Sequence, residues 1–266
     1  MTDRYEGVRQ KVGRAKEHID HLETVVSAFH ESRPYRLVPD FTIEPPDWVH
    51  IRVHFDKPLP ASVPLIIGDA VHNLRSALDH FAHCAVPSPT TDTAFPVMRK
   101  GPTPTTAALK GHVKGKLKGT SLALQQAVCA LQPYEGGDGH WLWALDQLDV
   151  IDKHRLLITM FHEYAVNLAD ITRGTPAENP FPDPEINAQM LSLMETLVLT
   201  ASDGAIDGEP VSRVHRSAFE KDTGVTVRFQ VTLEEPESLR HTAVVPALRG
   251  LVHQVESLLV RLIPLV

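Results

Sequence analysis

Cysteine is nearly absent from this chain, which carries two in 266 residues, Cys84 and Cys129. Two thiols cannot build a disulfide framework. Both sit in apolar contexts, as buried thiols of a reducing compartment do. Long hydrophobic runs are also missing. No stretch approaches the roughly 18 apolar residues that a membrane helix needs. The opening MTDRYEGVRQ has no apolar segment of the kind found in secretory signals, so a cytoplasmic protein is expected. The sequence has no P-loop, no G-x-G-x-x-G, no G-x-S-x-G and no H-E-x-x-H. P-loop nucleotide hydrolysis, Rossmann cofactor binding and α/β-hydrolase chemistry are therefore not expected. A net charge of −7 excludes a uniformly basic nucleic-acid binder while leaving room for a local basic patch. What stands out instead is histidine, with 15 residues.

Apolar periodicity sets the expected elements. Val8, Val12, Ala15, Ile19, Leu22, Val26 and Phe29 recur at steps of three and four, which predicts a helix over 1–32. Pro34 ends it. Over 35–56 the period becomes two, with Val49, Ile51, Val53 and Phe55 alternating with His50, Arg52 and His54. That pattern predicts a hairpin with one wet face, turned at Glu-Pro-Pro-Asp. Further helices are expected over about 64–86, 120–132, 139–155 and 243–263, and β structure over about 156–234. Residues 88–119, rich in Pro, Thr, Gly and Lys, read as a loop. The expected architecture is a single α+β domain over 1–266, a helical bundle packed with an antiparallel β-sheet.

The segment IIGDAVHNLRSALDHFAHCAV, residues 66–86, carries the most information. On a helical wheel Ile67, Ala70, Val71, Leu74, Leu78, Phe81 and Ala85 form one apolar face. Asp69, His72, Ser76, Asp79 and His83 form a polar stripe spaced 3, 4, 3 and 4, with Arg75 at its border. Lys and Glu, the usual solubilising pair, are absent from the stripe. Four readings compete. The stripe is a solvated face with pairs such as Arg75–Asp79. It is a buried hydrogen-bond network between helices. It is a metal site of His72, Asp79 and His83, with His18 and His21 from the first helix. Or it does acid–base chemistry on RNA.

The last reading rests on Arg75 and His80, which give R-x-x-x-x-H. The pattern resembles the motif of the HEPN superfamily, helical nucleases and nucleotide-binding proteins of bacterial toxin and antiviral defence systems. The resemblance implies a homodimeric, metal-independent ribonuclease that uses no cofactor, with RNA as its partner. In that scheme Arg75 holds the phosphate and His80 exchanges the proton. His72 and Asp79 orient them. A wider resemblance, to a widespread bacterial group of unassigned activity, covers about 155 residues. It rests on Lys16-Glu17-His18, Pro34-Tyr35, Gly68-Asp69-Ala70-Val71-His72-Asn73-Leu74-Arg75-Ser76-Ala77-Leu78-Asp79-His80, Leu131-Gln132-Pro133-Tyr134 and Ile151-Asp152-Lys153-His154-Arg155.

Two further clusters bear on function. Asp152, Lys153, His154 and Arg155 crowd a helix end. They either complement the negative end of the helix dipole or support the Arg75–His80 cleft. From Thr93 to Tyr134 there is no acidic residue, while Arg99, Lys100, Lys110, Lys114, Lys116 and Lys118 are all present, with His112 among them. That asymmetry reads either as a solubilising loop or as a mobile phosphate-binding loop over nucleic acid. The loop core lacks aromatics for base stacking, so sequence-specific recognition is not implied.

Overall fold

The computed structural model describes residues 3–42, 48–99, 103–157, 159–161, 164–166, 197–199, 210–215, 227–228 and 231–266. In chain order the elements are α1 (Glu6–Glu31), β1 (Tyr35–Asp40), β2 (Trp48–Phe55), α2 (Ser62–Ala85), α3 (Thr106–Lys116), α4 (Leu122–Ala130) and α5 (His140–His154). There follow β3 (Thr159–Phe161), β4 (Tyr164–Val166), β5 (Leu197–Leu199), β6 (Pro210–His215), β7 (Val227–Arg228), β8 (Val231–Leu233), β9 (Thr242–Ala243) and α6 (Val244–Leu262). The fold is mixed helix and antiparallel sheet. The chain divides into two compact units. One comprises Met1–Val26, Ala61–Thr159 and Leu233–Val266; the other comprises Ser27–Pro60 and Met160–Thr232.

The first unit is helical at its core. All seven residues of the apolar face foreseen on α2 are buried, and Val63, Ile66, Ala77 and Ala82 widen that face. The helix is therefore covered on more than one side, as a central helix must be. It starts at Ser62, so Pro64 sits in the first turn, where a missing N–H breaks no internal bond. Val8, Val12, Ala15, Ile19 and Leu22 of α1 and Leu248, Val252, Val255, Leu258, Leu259 and Leu262 of α6 complete the same core. Exposed ion pairs join α1 to α6, Lys16 to Glu256 at 2.6 Å and Arg249 to Asp20 and Glu23 at 3.1 and 2.6 Å.

The stretch 88–119 is not wholly loop, as its glycines and lysines suggest. It contains α3. The Thr105 side chain accepts a hydrogen bond from the Ala108 amide and caps the helix. Leu109 and Val113, four residues apart, are buried. Lys114 and Lys116 complement the negative end of its dipole. Gly111 and Gly115 each cost about 1 kcal/mol of helix propensity. Burial of two aliphatic side chains, each contributing roughly 1.5–3 kcal/mol, outweighs that cost.

The second unit contains the foreseen hairpin. β1 and β2 pair antiparallel, with Tyr35 opposite Phe55 and Asp40 opposite His50. β6 lies along the other side of β2. Val49 and Val53 are buried, while His50, Arg52 and His54 on the alternate face are half-buried. Pro39 is tolerated because β1 is an edge strand. Arg52 donates to Asp40 at 2.9 and 2.7 Å. Thr42, through its hydroxyl and its amide, and then Arg52 hold the Asp40 carboxyl well below the usual carboxylate range. The Glu-Pro-Pro-Asp turn and most of the β structure expected over 156–234 lie outside the described residues.

Candidate functional site

α2 and α5 run antiparallel against each other, and three contacts fall in register along them. Gly68 meets Asp152, His72 meets Asp149, and Arg75 meets Asp146. Steps of four and three on α2 match steps of three on α5, which is how two facing helices present side chains turn by turn. The polar stripe on α2 is in this part an interhelical hydrogen-bond network.

Arg75, 5% exposed, is the most buried of the polar residues on α2, and its partner Asp146 is fully buried. The Arg75 guanidinium donates to Asp146 Oδ1 at 2.9 Å, to Asp79 Oδ1 at 2.6 Å and to the Phe95 carbonyl at 3.1 Å. Asp79 in turn accepts from the Phe95 amide at 2.9 Å. Arg99 donates to both oxygens of the same Asp146 carboxylate, to Oδ2 at 2.6 Å and to Oδ1 at 3.0 Å. One buried carboxylate is thus shared by two guanidinium groups. The Asp146 carboxylate raises the pKa of Arg99, which stays charged.

This network forms one wall of a cavity of about 360 Å³. Its polar lining is Arg75, Arg99, His112, Lys116 and Asp146, and Phe95 and Met98 are among its apolar residues. The volume is at the small end of the range for small-molecule sites, roughly 300–1,000 Å³. His112 and Lys116 come from α3, one turn apart, beside the face that buries Leu109 and Val113. Lys116 also donates to the Asp92 carbonyl at 3.0 Å. Three cations and a histidine against one lining carboxylate make the cavity electropositive inside an acidic chain.

One turn along α2, His72 Nδ1 lies 2.9 Å from Asp149 Oδ1, and Ser76 Oγ lies 3.3 Å from His72 Nε2. Asp149 is buried and also accepts from Lys153 at 2.5 Å. A buried carboxylate that orients an imidazole against a hydroxyl is the geometry of a proton relay. Ser76 sits inside a helix, where the backbone N–H groups beside it are already bonded to helix carbonyls. Helix backbone therefore supplies no oxyanion hole for acyl transfer.

The other expected site residues scatter. His80 is exposed and lies on the side of α2 that faces Gly7 of α1, away from Arg75 and its partners. The structure does not bring Arg75 and His80 together in one cleft of a single chain. His83 is exposed. His18 Nδ1 lies 4.0 Å from Asp69, and burial lowers its pKa. His72, Asp79, His83 and His18 do not converge. Among the described residues no three His, Cys, Asp or Glu side chains gather as metal ligands would.

Asp152 packs on Gly68, and burial, then the charges of Asp149 and Asp69, push its carboxyl up. Lys153 serves Asp149, Arg155 pairs with Glu235, and His154 is exposed. None of the last three lines the cavity. Of the six basic residues, Arg99 and Lys116 line it. Lys110, Lys114 and Lys118 are exposed to solvent, and Lys100 lies outside the described residues.

Asp146 and Asp149 were not singled out by the sequence pattern. A signal for them exists in LWALDQLDVID: carboxylates three apart on the flank of the Leu142–Leu145–Leu148 stripe, where surface residues are not expected. No protein-family model, no curated protein and no solved structure matches the chain. Among the described residues no helix is long and apolar enough to cross a membrane.

Proposed function

We propose that this chain binds a phosphorylated small molecule in the cavity between α2, α3 and α5. One observation carries the reading. Among the described residues Arg75, Arg99, Lys116 and His112 line one cavity, with Asp146 as the one carboxylate of that lining. Arginine presents paired N–H groups that suit phosphate, and lysine adds a point charge. Asp146 fixes the two guanidinium groups before any ligand arrives, which lowers the ordering cost of binding. Calorimetric titration with methyl phosphate is expected to give one site per chain. Arg99→Ala is expected to weaken it about tenfold, the loss of about 1.4 kcal/mol of charge-assisted bonding. Binding unchanged in Arg99→Ala would remove the proposal.

A second reading keeps the HEPN-like helical bundle and the ribonuclease. It is favoured by the relay of Ser76, His72 and Asp149 one turn from Arg75, which offers a proton acceptor near the phosphate site. Arg75 would have to give up internal partners to reach RNA, and His80 would have to act from a second copy. On this reading wild type cleaves labelled RNA in EDTA, and either His72→Gln or His80→Gln lowers the rate at least 100-fold, the usual contribution of a general acid or base. Equal rates in all three proteins would eliminate it.

A further inference from the structure

The cations take up one part of the cavity lining and leave a wall of different character. That wall is the segment 94–98. Ala94 and Met98 are half-buried and line the cavity, and Phe95 and Val97 behind them are almost wholly buried. The segment is pinned along its length. The Phe95 amide donates to Asp79 at 2.9 Å, and the Phe95 carbonyl accepts from Arg75 at 3.1 Å. The Met98 amide donates to the Pro133 carbonyl at 2.9 Å, and Met98 and Tyr134 form a parallel bridge. The next carbonyl, that of Arg99, accepts from the Trp143 indole at 3.4 Å. The wall is therefore in place before a ligand arrives, and the Phe95 and Met98 amides are engaged within the protein.

Neutral hydrogen-bonding side chains are missing from the cavity. Among the described residues its lining has no serine, threonine, tyrosine, asparagine or glutamine. Its polar side chains are the charged groups and His112, whose Nε2 is buried. Asp146 already accepts from both arginines. A polyol entering beside Ala94 and Met98 would exchange water for aliphatic surface, and each hydroxyl left unpaired there costs binding. An alkyl group carries no such cost and gains with each methylene removed from water. Met98, unbranched and flexible, can mould its side chain to such a group.

We infer that the ligand is a short aliphatic phosphate monoester, with its phosphate on Arg99 and Lys116 and its alkyl chain along Ala94 and Met98. This rests on the phosphate reading of the same cavity, and the test separates the two. A volume of about 360 Å³ suits a small free ester rather than a membrane lipid. Methyl phosphate, n-butyl phosphate and glycerol 3-phosphate are titrated calorimetrically at about pH 8, where all three are dianions. Butyl phosphate is expected to bind about tenfold more tightly than methyl phosphate, part of what three fully buried methylenes contribute. Glycerol 3-phosphate, of similar length but with two hydroxyls, is expected to bind no more tightly than methyl phosphate. Met98→Gln, similar in length but polar, is expected to bring the ratio of butyl to methyl affinity close to one. Met98→Leu is expected to keep it near ten. If Met98→Gln does not fold, Met98→Ala, which withdraws the same apolar surface, carries the comparison.

Equal affinity of wild type for methyl and butyl phosphate overturns the aliphatic inference and leaves the phosphate site standing. So does a butyl advantage that survives unchanged in the Met98 variant, or glycerol 3-phosphate bound as tightly as butyl phosphate. Binding of none of the three overturns both proposals.

Discussion

Replacing Asp146 by alanine is expected to lower stability by about 3–5 kcal/mol, the cost of leaving a buried charge without its partner. In a chain of this size that corresponds to a fall in Tm of roughly 10 °C. The reason is the division of labour around the carboxylate. Arg75 is 5% exposed and Asp79, its other anionic partner, is itself a third exposed. Among the described residues Asp146 is the carboxylate on Arg75 that is shielded from water, and it carries Arg99 as well. The isosteric Asp146→Asn is expected to keep the shape, lose the charge and still lower Tm. Replacing both ends, Arg75→Met with Asp146→Leu, is expected to recover much of the loss, because two buried charges are then removed together. Thermal unfolding followed by circular dichroism measures all three. A Tm for Asp146→Ala within 1 °C of wild type would contradict the network as the anchor of α2 on α5.

Gly68→Ala is expected to destabilise the protein, although the same change in an open helix stabilises by about 1 kcal/mol. A Cβ at position 68 would stand 2.1 Å from Asp152 Oδ1 and 2.4 Å from its Cγ. Either the Asp152 side chain turns away or α5 shifts from α2. Overpacking of this kind costs typically 1–3 kcal/mol, so the clash outweighs the propensity gain. The close approach at Gly68 is what puts His72 on Asp149 and Arg75 on Asp146 in the following turns. Asp152→Ala in the same chain is expected to remove the clash and let the propensity gain show. If Gly68→Ala alone raises Tm, the Asp152 side chain turns away at little cost and this contact does not set the spacing of the two helices.

The helices themselves were legible. The apolar face of α2 was readable residue by residue, because helical period and burial are both local properties of sequence. The same holds for α1, α5 and α6 and for the β1–β2 alternation. α3 was not legible, because Gly111 and Gly115 lower propensity while the burial of Leu109 and Val113 that compensates for it is tertiary. The polar stripe was visible as an anomaly, five polar residues with no Lys or Glu, but its meaning was not. Arg75 and Asp146 lie 71 residues apart, and His72 and Asp149 lie 77 apart. Nothing in the periodicity of one helix names its partner on another. Spacing suggested Arg75 with His80; their positions, about 140° apart around the helix axis, send them to different neighbours. The basic segment was legible as charge alone. Folding it into a helix turned Lys116 and His112 to the cavity and left Lys110 and Lys114 in solvent.

The account stands on the cavity as an anion site, and the most direct measurement is the location of a bound phosphate. A crystal structure grown with methyl phosphate is predicted to place the phosphoryl group against Arg99 and Lys116. An empty cavity at ligand concentrations that saturate the protein in solution, or a phosphate held only by exposed residues such as Lys110 and Lys114, would contradict it.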